Sequence, residues 1–193
     1  MSTSYHHGNL RNKLIEGGIA TVNEEGINNF SLRKVAKRLG VSPTACYNHF
    51  LDKEALLESM KEYVNESLEN ILLNAAKLSD KKYSTLEMGK AYVKFFAEHP
   101  NYFNFIYDNE DYYIELMEDD FVGDHKAFCI FRDAAIEEMK ALGIPKQAYR
   151  DNLVAMWGIV HGLAAMSNMK GFYYEGDWGI LAEEILERKI KFD

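Results

Sequence analysis

Proline is nearly missing from this 193-residue chain, which holds only Pro43, Pro100 and Pro145. Each stands where a helix could begin or has just ended, so no helix interior is broken. With many Leu, Ala, Glu and Lys residues, that scarcity favours a mostly helical protein. Cysteine is almost as rare. Cys46 and Cys129 are too few for a disulfide framework and lack metal-ligand spacing. No run of about eighteen apolar residues occurs, so no membrane-spanning helix is expected. The opening residues carry no basic stretch followed by an apolar one, and a cytoplasmic location is expected. Glycine-rich phosphate loops, nucleophile–base spacings, metal motifs, repeats and alternating strand patterns are also absent. The expectation is a protein that is not an enzyme, with no cofactor and no metal.

The residues present can bury a real core, since 47% are hydrophobic and 27% charged. The formal charge of -8 argues against nucleic acid, but it is unevenly spread. Residues 1–50 hold six bases (Arg11, Lys13, Arg33, Lys34, Lys37, Arg38) and three acids (Glu16, Glu24, Glu25), a net +3 that leaves -11 for the rest. A basic head on an acidic body suits a protein that meets phosphate with one small face.

Helical periodicity organises the chain. Asn9 can cap a first helix carrying Leu10, Leu14, Ile15, Ile19 and Val22, with Gly26 past its end. Ser31 opens a short helix with Leu32, Val35, Ala36 and Leu39 on one face and the four bases outward; Gly40 stops it. Ser42 caps a third helix with Pro43 in its first turn, closing at Phe50, and Asp52 caps a fourth through about Lys77. Further helices are expected at about 84–99, after Pro100, at 124–142, 146–169 and 178–190, with a helix or loop at 112–120. Residues 1–52 and 53–193 read as two domains.

Two short helices joined at Leu39-Gly40-Val41-Ser42 have a helix-turn-helix layout, and the second is slim enough to enter a major groove about 12 Å wide. The stretch from Ser31 through Leu57 resembles the DNA-binding signature of the TetR family of transcriptional regulators. Its Gly40-Val-Ser, Tyr47-x-His-Phe50 and Asp52-Lys-Glu-x-Leu56 blocks carry the likeness, as does the opening Tyr5-His-His-Gly-Asn-Leu10. Cys46 departs from it, since the family usually has a larger apolar residue there. The resemblance implies an all-α fold, with an N-terminal three-helix DNA-binding domain joined to a C-terminal helical domain for ligand binding and dimerisation. It directs Arg33, Pro43, Thr44, Ala45 and Asn48 to base edges, and Ser31, Tyr47, His49 and Lys53 to the sugar-phosphate backbone. The chemistry agrees: Arg33 can bond guanine bidentately, Asn48 can pair with adenine, and Tyr47 and Lys53 donate to phosphate. Plainer readings stand beside these. Arg33 to Arg38 can be a solvated face, Tyr47 and His49 can pack around Phe50, and His6 and His7 can be an arm or a frayed terminus.

The resemblance also implies a pocket for a small apolar or amphipathic effector in the larger domain. Candidate lining residues are Tyr92, Phe95, Phe96, Tyr102, Phe103, Phe105, Tyr107, Tyr113, Met117, Phe128, Phe131, Trp157 and His161, any of which can instead be plain core. The run Met156-Trp-Gly-Ile-Val-His-Gly-Leu-Ala-Ala165 is similar to a Trp…His-Gly helix of one subgroup. In the family such helices build a two-fold dimer, here expected to use Phe131, Ala135, Met139, Leu153, Met156, Val160 and Ala164. His161 is open to three readings: a core hydrogen-bonder, a ligand contact or a pH-sensitive interface group. The expected partners are double-stranded operator DNA, a small-molecule effector and a second copy of the chain. The alternative is a DNA-binding regulator or adaptor controlled by a protein partner.

Overall fold

Most helix boundaries in the computed structural model, which describes residues 4–78, 84–109, 114–116, 121–123 and 125–189, have a chemical cause visible in the sequence. Helix α1 spans Ser4–Glu25. It starts ahead of the expected Asn9 cap, because nothing between Tyr5 and Asn9 removes a backbone donor and the helix propagates through. Helix α2, Leu32–Leu39, is capped by Ser31, whose hydroxyl accepts from the Lys34 amide at 3.4 Å. It stops at Gly40, which sits left-handed at φ 67°. Helix α3, Pro43–Tyr47, is capped by Ser42 and ends before the expected Phe50. The amides of His49 and Phe50 both turn back to the Cys46 carbonyl at 3.0 Å, which reverses the chain and brings Asp52 to the start of α4, Lys53–Leu78. There the Asp52 carboxylate accepts from the Ala55 amide at 2.8 Å.

Helices α5 (Ser84–Glu98), α6 (Pro100–Asn109), α7 (Lys126–Ala141), α8 (Tyr149–Asn168) and α9 (Trp178–Lys189) follow. His125 caps α7 through its ring nitrogen. The expected start of α8 at Lys146 is instead a 3-10 turn, since the Ala148 amide bonds the Pro145 carbonyl at 2.9 Å. Strand β1 (Ile114–Leu116), within the stretch expected as helix or loop, pairs antiparallel with β2 (Phe121–Gly123) just beyond it, Ile114 opposite Gly123. Ile114, Phe121 and Val122 are residue types that favour strands over helices. This pair is a small addition to an all-helical architecture.

Packing divides the chain into two compact units. The first comprises the residues through Val64 together with a stretch of α6 from Asn104. Its core takes Leu14, Ile15, Ile19 and Val22 from α1, Val35 and Ala36 from α2, Cys46 and Phe50 from α3 and its turn, and Leu56, Met60 and Val64 from α4. Cys46 is fully buried. A Cβ on Gly18 would lie 2.7 Å from the Met60 sulfur, so any side chain there would have to displace Met60 where α1 meets α4. The second unit is built on α5, whose Met88, Tyr92, Val93 and Phe96 are buried with Phe128, Ala135 and Met139 of α7 and Leu153, Met156 and Val160 of α8. Helix α9 contributes Ala182 and Leu186 to this core.

Candidate functional site

Helix α3 is a single turn and a half, and its capping fixes what it presents. Ser42 and Pro43 set its start, and Cys46 anchors its inner side, so Pro43, Thr44, Tyr47 and Asn48 are exposed while Ala45 is half-buried. Tyr47 is 51% exposed, which a ring placed only to pack around Phe50 would not be. On α2, Arg33 and Lys37 are exposed and enter no ion pair among the described residues, whereas Lys34 and Arg38 pair with Glu25 and Glu24. The basic run is therefore two flanks with different surroundings.

The residues expected at the DNA backbone divide as well. Ser31 acts as the α2 cap, and its hydroxyl keeps acceptor capacity. His49 is half-buried with its ring centroid 6.5 Å from that of Phe50. The Lys53 ammonium donates to the Ile27 carbonyl at 2.9 Å, tying the start of α4 to the turn after α1. Sequence reasoning missed Arg11, whose guanidinium lies 5.2 Å over the Phe50 ring and donates to the Ser59 hydroxyl at 3.0 Å. Tyr63 likewise donates to Glu16 at 3.1 Å. The first half of α4 is thereby held to α1. The side chains of His6 and His7 lie outside the described ones.

In the second unit the aromatic residues gather around Trp157. Ring centroids of Tyr92 and Phe128 lie 5.2 Å from it, Phe131 at 5.6 Å, and His125 and His161 at 6.1 Å. Phe103 lies 5.3 Å from His161, and Phe96 packs edge-on against Tyr92 at 4.9 Å. The Tyr92 hydroxyl meets Nδ1 of His161 at 3.0 Å, and burial pushes the imidazole pKa down, so the ring is neutral at pH 7. Phe95 packs edge-on against Phe96 at 5.0 Å and tilts against His99 at 5.2 Å, and His99 stacks on Tyr102 at 4.9 Å. Phe105 and Tyr107 fall in the first compact unit, which takes the stretch of α6 from Asn104 onward. Tyr113 and Met117 lie outside the described residues.

A separate cleft of about 550 Å³ opens between α4, α5 and α9, with Ile71, Ala75, Ala91 and Ile180 as apolar wall. Lys90 crosses it, bonded to Glu183 at 2.8 Å and Glu87 at 3.0 Å. Its sequence signal, a Glu-x-x-Lys pair on α5, is too common to have marked it.

The seven side chains expected at a dimer seam (Phe131, Ala135, Met139, Leu153, Met156, Val160 and Ala164) are all buried within the subunit. They form the contact of α7 and α8 with the subunit's own core, so their apolar spacing marks intrachain packing. The opposite face of α8 is the uncovered one, with Val154, Ala155, Gly158 and Met166 exposed. No helix among the described residues is long and apolar enough to cross a membrane, and no three His, Cys, Asp or Glu side chains among them gather as metal ligands.

Comparison with known proteins follows this division. Residues 14–60 match the family pattern described as bacterial regulatory proteins, tetR family, and residues 85–190 match the tetracyclin repressor-like C-terminal domain. A stretch of 54 residues is 43% identical to the HTH-type transcriptional regulator BetI of Yersinia pestis, covering 28% of this chain and 27% of that protein. Two solved structures share the fold across nearly the whole chain. A bacterial regulatory protein in the tetR family from Rhodococcus RHA1 has a TM-score of 0.67 at 17% identity, covering 92% of this chain and 93% of its own. The transcriptional regulator FadR from Bacillus subtilis, in complex with stearoyl-CoA, has a TM-score of 0.65 at 18% identity, covering 91% and 95%.

Proposed function

Because this chain belongs to the TetR family of bacterial regulatory proteins, we propose that it is a ligand-responsive, sequence-specific regulator of transcription, a repressor released from a palindromic operator by a small apolar or amphipathic effector. The observation that carries this reading is the shared exposure of Arg33 on α2 and of Pro43, Thr44, Tyr47 and Asn48 on and beside α3. Arg33, Pro43, Thr44, Ala45 and Asn48 read base edges in the major groove, and Ser31, Tyr47 and His49 meet the backbone. Lys53 keeps two N–H donors for phosphate beside the one that it gives to the Ile27 carbonyl. Residues 1–52 act as the DNA-reading domain and 53–193 as the sensing and dimerising domain, working in the cytoplasm and without a catalytic step.

The aromatic cluster around Trp157 supports an apolar or amphipathic effector, with the Tyr92–His161 pair as its polar handle. That FadR was solved with stearoyl-CoA fits this class of ligand. Dimerisation is assigned to the uncovered face of α8. A Cβ added at Gly158 or Gly162 would meet nothing within 4 Å, so the subunit's own packing does not require these glycines. A second helix approaching closely would. A small molecule acts here only by binding one separation of the two reading heads better than the other.

The test is binding of the purified protein to DNA upstream of its own coding region, followed by fluorescence anisotropy, with Arg33→Ala and Tyr47→Ala alongside. Salt-sensitive binding to a palindromic stretch, lost in both variants, is expected. Binding equal on scrambled DNA and indifferent to both substitutions would overturn the reading.

A further inference from the structure

Three cations from two helices converge on the C-terminal end of α1. Arg38 grips Glu24 with both terminal guanidinium nitrogens, at 2.6 and 2.9 Å, and the Lys34 ammonium lies 2.5 Å from the Glu25 carboxylate. Lys53 bonds the Ile27 carbonyl two residues on, and the Asn29 side-chain carboxamide donates to the Glu25 carbonyl at 2.9 Å. Cations are favoured here, because the last carbonyls of the 22-residue α1 leave partial negative charge at this end. The Arg38 hydrogen bond holds the Glu24 carboxyl below its ordinary pKa, and the same bond raises that of Arg38. On α2, Lys34 and Arg38 are four residues apart on one flank, and Arg33 and Lys37 are four apart on the other.

We propose that Glu24 and Glu25 withhold Lys34 and Arg38 from DNA phosphate, so that this clamp sets how strongly the head binds DNA of arbitrary sequence. The inference rests on the DNA-binding reading above and goes beyond it. Non-specific affinity comes from cations that displace condensed counterions, one phosphate at a time. Base readout by α3 uses other side chains. Neutralising two of the six head cations within the subunit therefore weakens binding everywhere equally and leaves the contacts that distinguish one sequence from another in place. At about 0.1 M salt, each phosphate contact withheld lowers the affinity roughly eightfold.

The experiment measures binding of the intact protein to a random-sequence duplex by anisotropy, across roughly 50 to 200 mM NaCl. Each variant is first checked for an unchanged far-ultraviolet circular dichroism spectrum. In the Glu24→Gln/Glu25→Gln double variant the slope of log K against log salt is expected to steepen by about 1.8 per bound protomer, which is about 0.9 for each freed cation. The single variants Glu24→Gln and Glu25→Gln should each give about half of that. Lys37→Gln should flatten the slope by about 0.9, whereas Lys34→Gln and Arg38→Gln should leave it where it is. Glu54→Gln removes the same charge from the start of α4, where the carboxylate pairs with no base among the described residues, and should not change the slope. An unchanged slope in the double variant overturns the clamp, as does an equal steepening in Glu54→Gln. A flattening in Arg38→Gln or Lys34→Gln that matches Lys37→Gln also overturns it, because the pairs would then open on DNA. Absence of any DNA binding by the unaltered protein would instead overturn the regulator reading itself.

Discussion

The Tyr92 hydroxyl on α5 and Nδ1 of His161 on α8 stand 3.0 Å apart inside the aromatic cluster, joining the two helices by a polar contact among the rings of Trp157 and Phe103. Burial holds the folded-state pKa of His161 below its ordinary 6.5. The unfolded chain then binds the proton more readily, and stability is lost as pH falls below about 6.5. A series of thermal denaturations between about pH 5 and pH 8 should show this loss, and His161→Phe should reduce it. Tyr92→Phe should destabilise by about 1 kcal/mol, because the half-buried imidazole gives up its hydrogen bond with the Tyr92 hydroxyl. A pH dependence identical in the wild type and His161→Phe would assign the acid sensitivity to other groups.

Glu138 on α7 has the opposite sign. Its carboxylate is buried and accepts from the Thr85 amide at 3.2 Å, the Thr85 hydroxyl at 2.8 Å and the Ser84 hydroxyl at 3.4 Å, closing the start of α5 from another helix. Burial raises its pKa, and the bonds from Thr85 and Ser84 only partly oppose that. Between the ordinary 4.5 and the raised value the folded chain holds the proton better, so this residue's contribution to stability declines as pH rises through that window. Glu138→Gln keeps an acceptor for all three donors and should be neutral or stabilising at pH 7. Glu138→Ala should lower the urea unfolding free energy by about 1–3 kcal/mol, since buried donors at the start of α5 lose their acceptor. Similar losses in both variants would mean that the negative charge itself is needed.

How much of this was legible beforehand follows from the range of each cause. Ser31, Gly40, Ser42, Pro43 and Asp52 act on their own few residues, so the helix-turn-helix could be read from their order. Arg38 meets Glu24 across fourteen positions and Glu138 meets Ser84 across fifty-four, and no local pattern announces such pairs. The seam on α8 shows the same limit. Periodicity marked Leu153, Met156, Val160 and Ala164 as one apolar face, but a period cannot tell whether that face meets its own subunit or another. The uncovered face holds Ala155 and Gly158, with Gly162 half-buried beside them; the size of the two glycines shows in the sequence as room for a close helix, but which helix comes close does not.

Gly40 should be costly to replace for a backbone reason alone. It stands at φ 67° with nothing within 4 Å of where a Cβ would be, so no clash confuses the measurement. Gly40→Ala should destabilise the head by about 1–2 kcal/mol, and Gly40→Asn by less, because Asn tolerates the left-handed region. Chemical denaturation of the two variants checks the order. Equal losses would mean that the turn relaxes to another conformation.

The two faces of α8 give the sharpest separation of core from interface. Leu153 is fully buried, so Leu153→Glu places an unpaired carboxylate in the subunit core, and several kcal/mol of lost stability should abolish cooperative folding. Val154, the next residue, is exposed, and Val154→Glu meets only water in an isolated subunit. If the uncovered face joins two copies, that substitution sets like charges opposite each other across a two-fold axis, and sedimentation should show monomers with unchanged helical content. Arg33 and Tyr47 are untouched in this variant, so any loss of operator affinity would come from separating the two heads. A Val154→Glu protein that still sediments as a dimer would move the interface off this face of α8, and Gly158 and Gly162 would then need another reason to lack side chains.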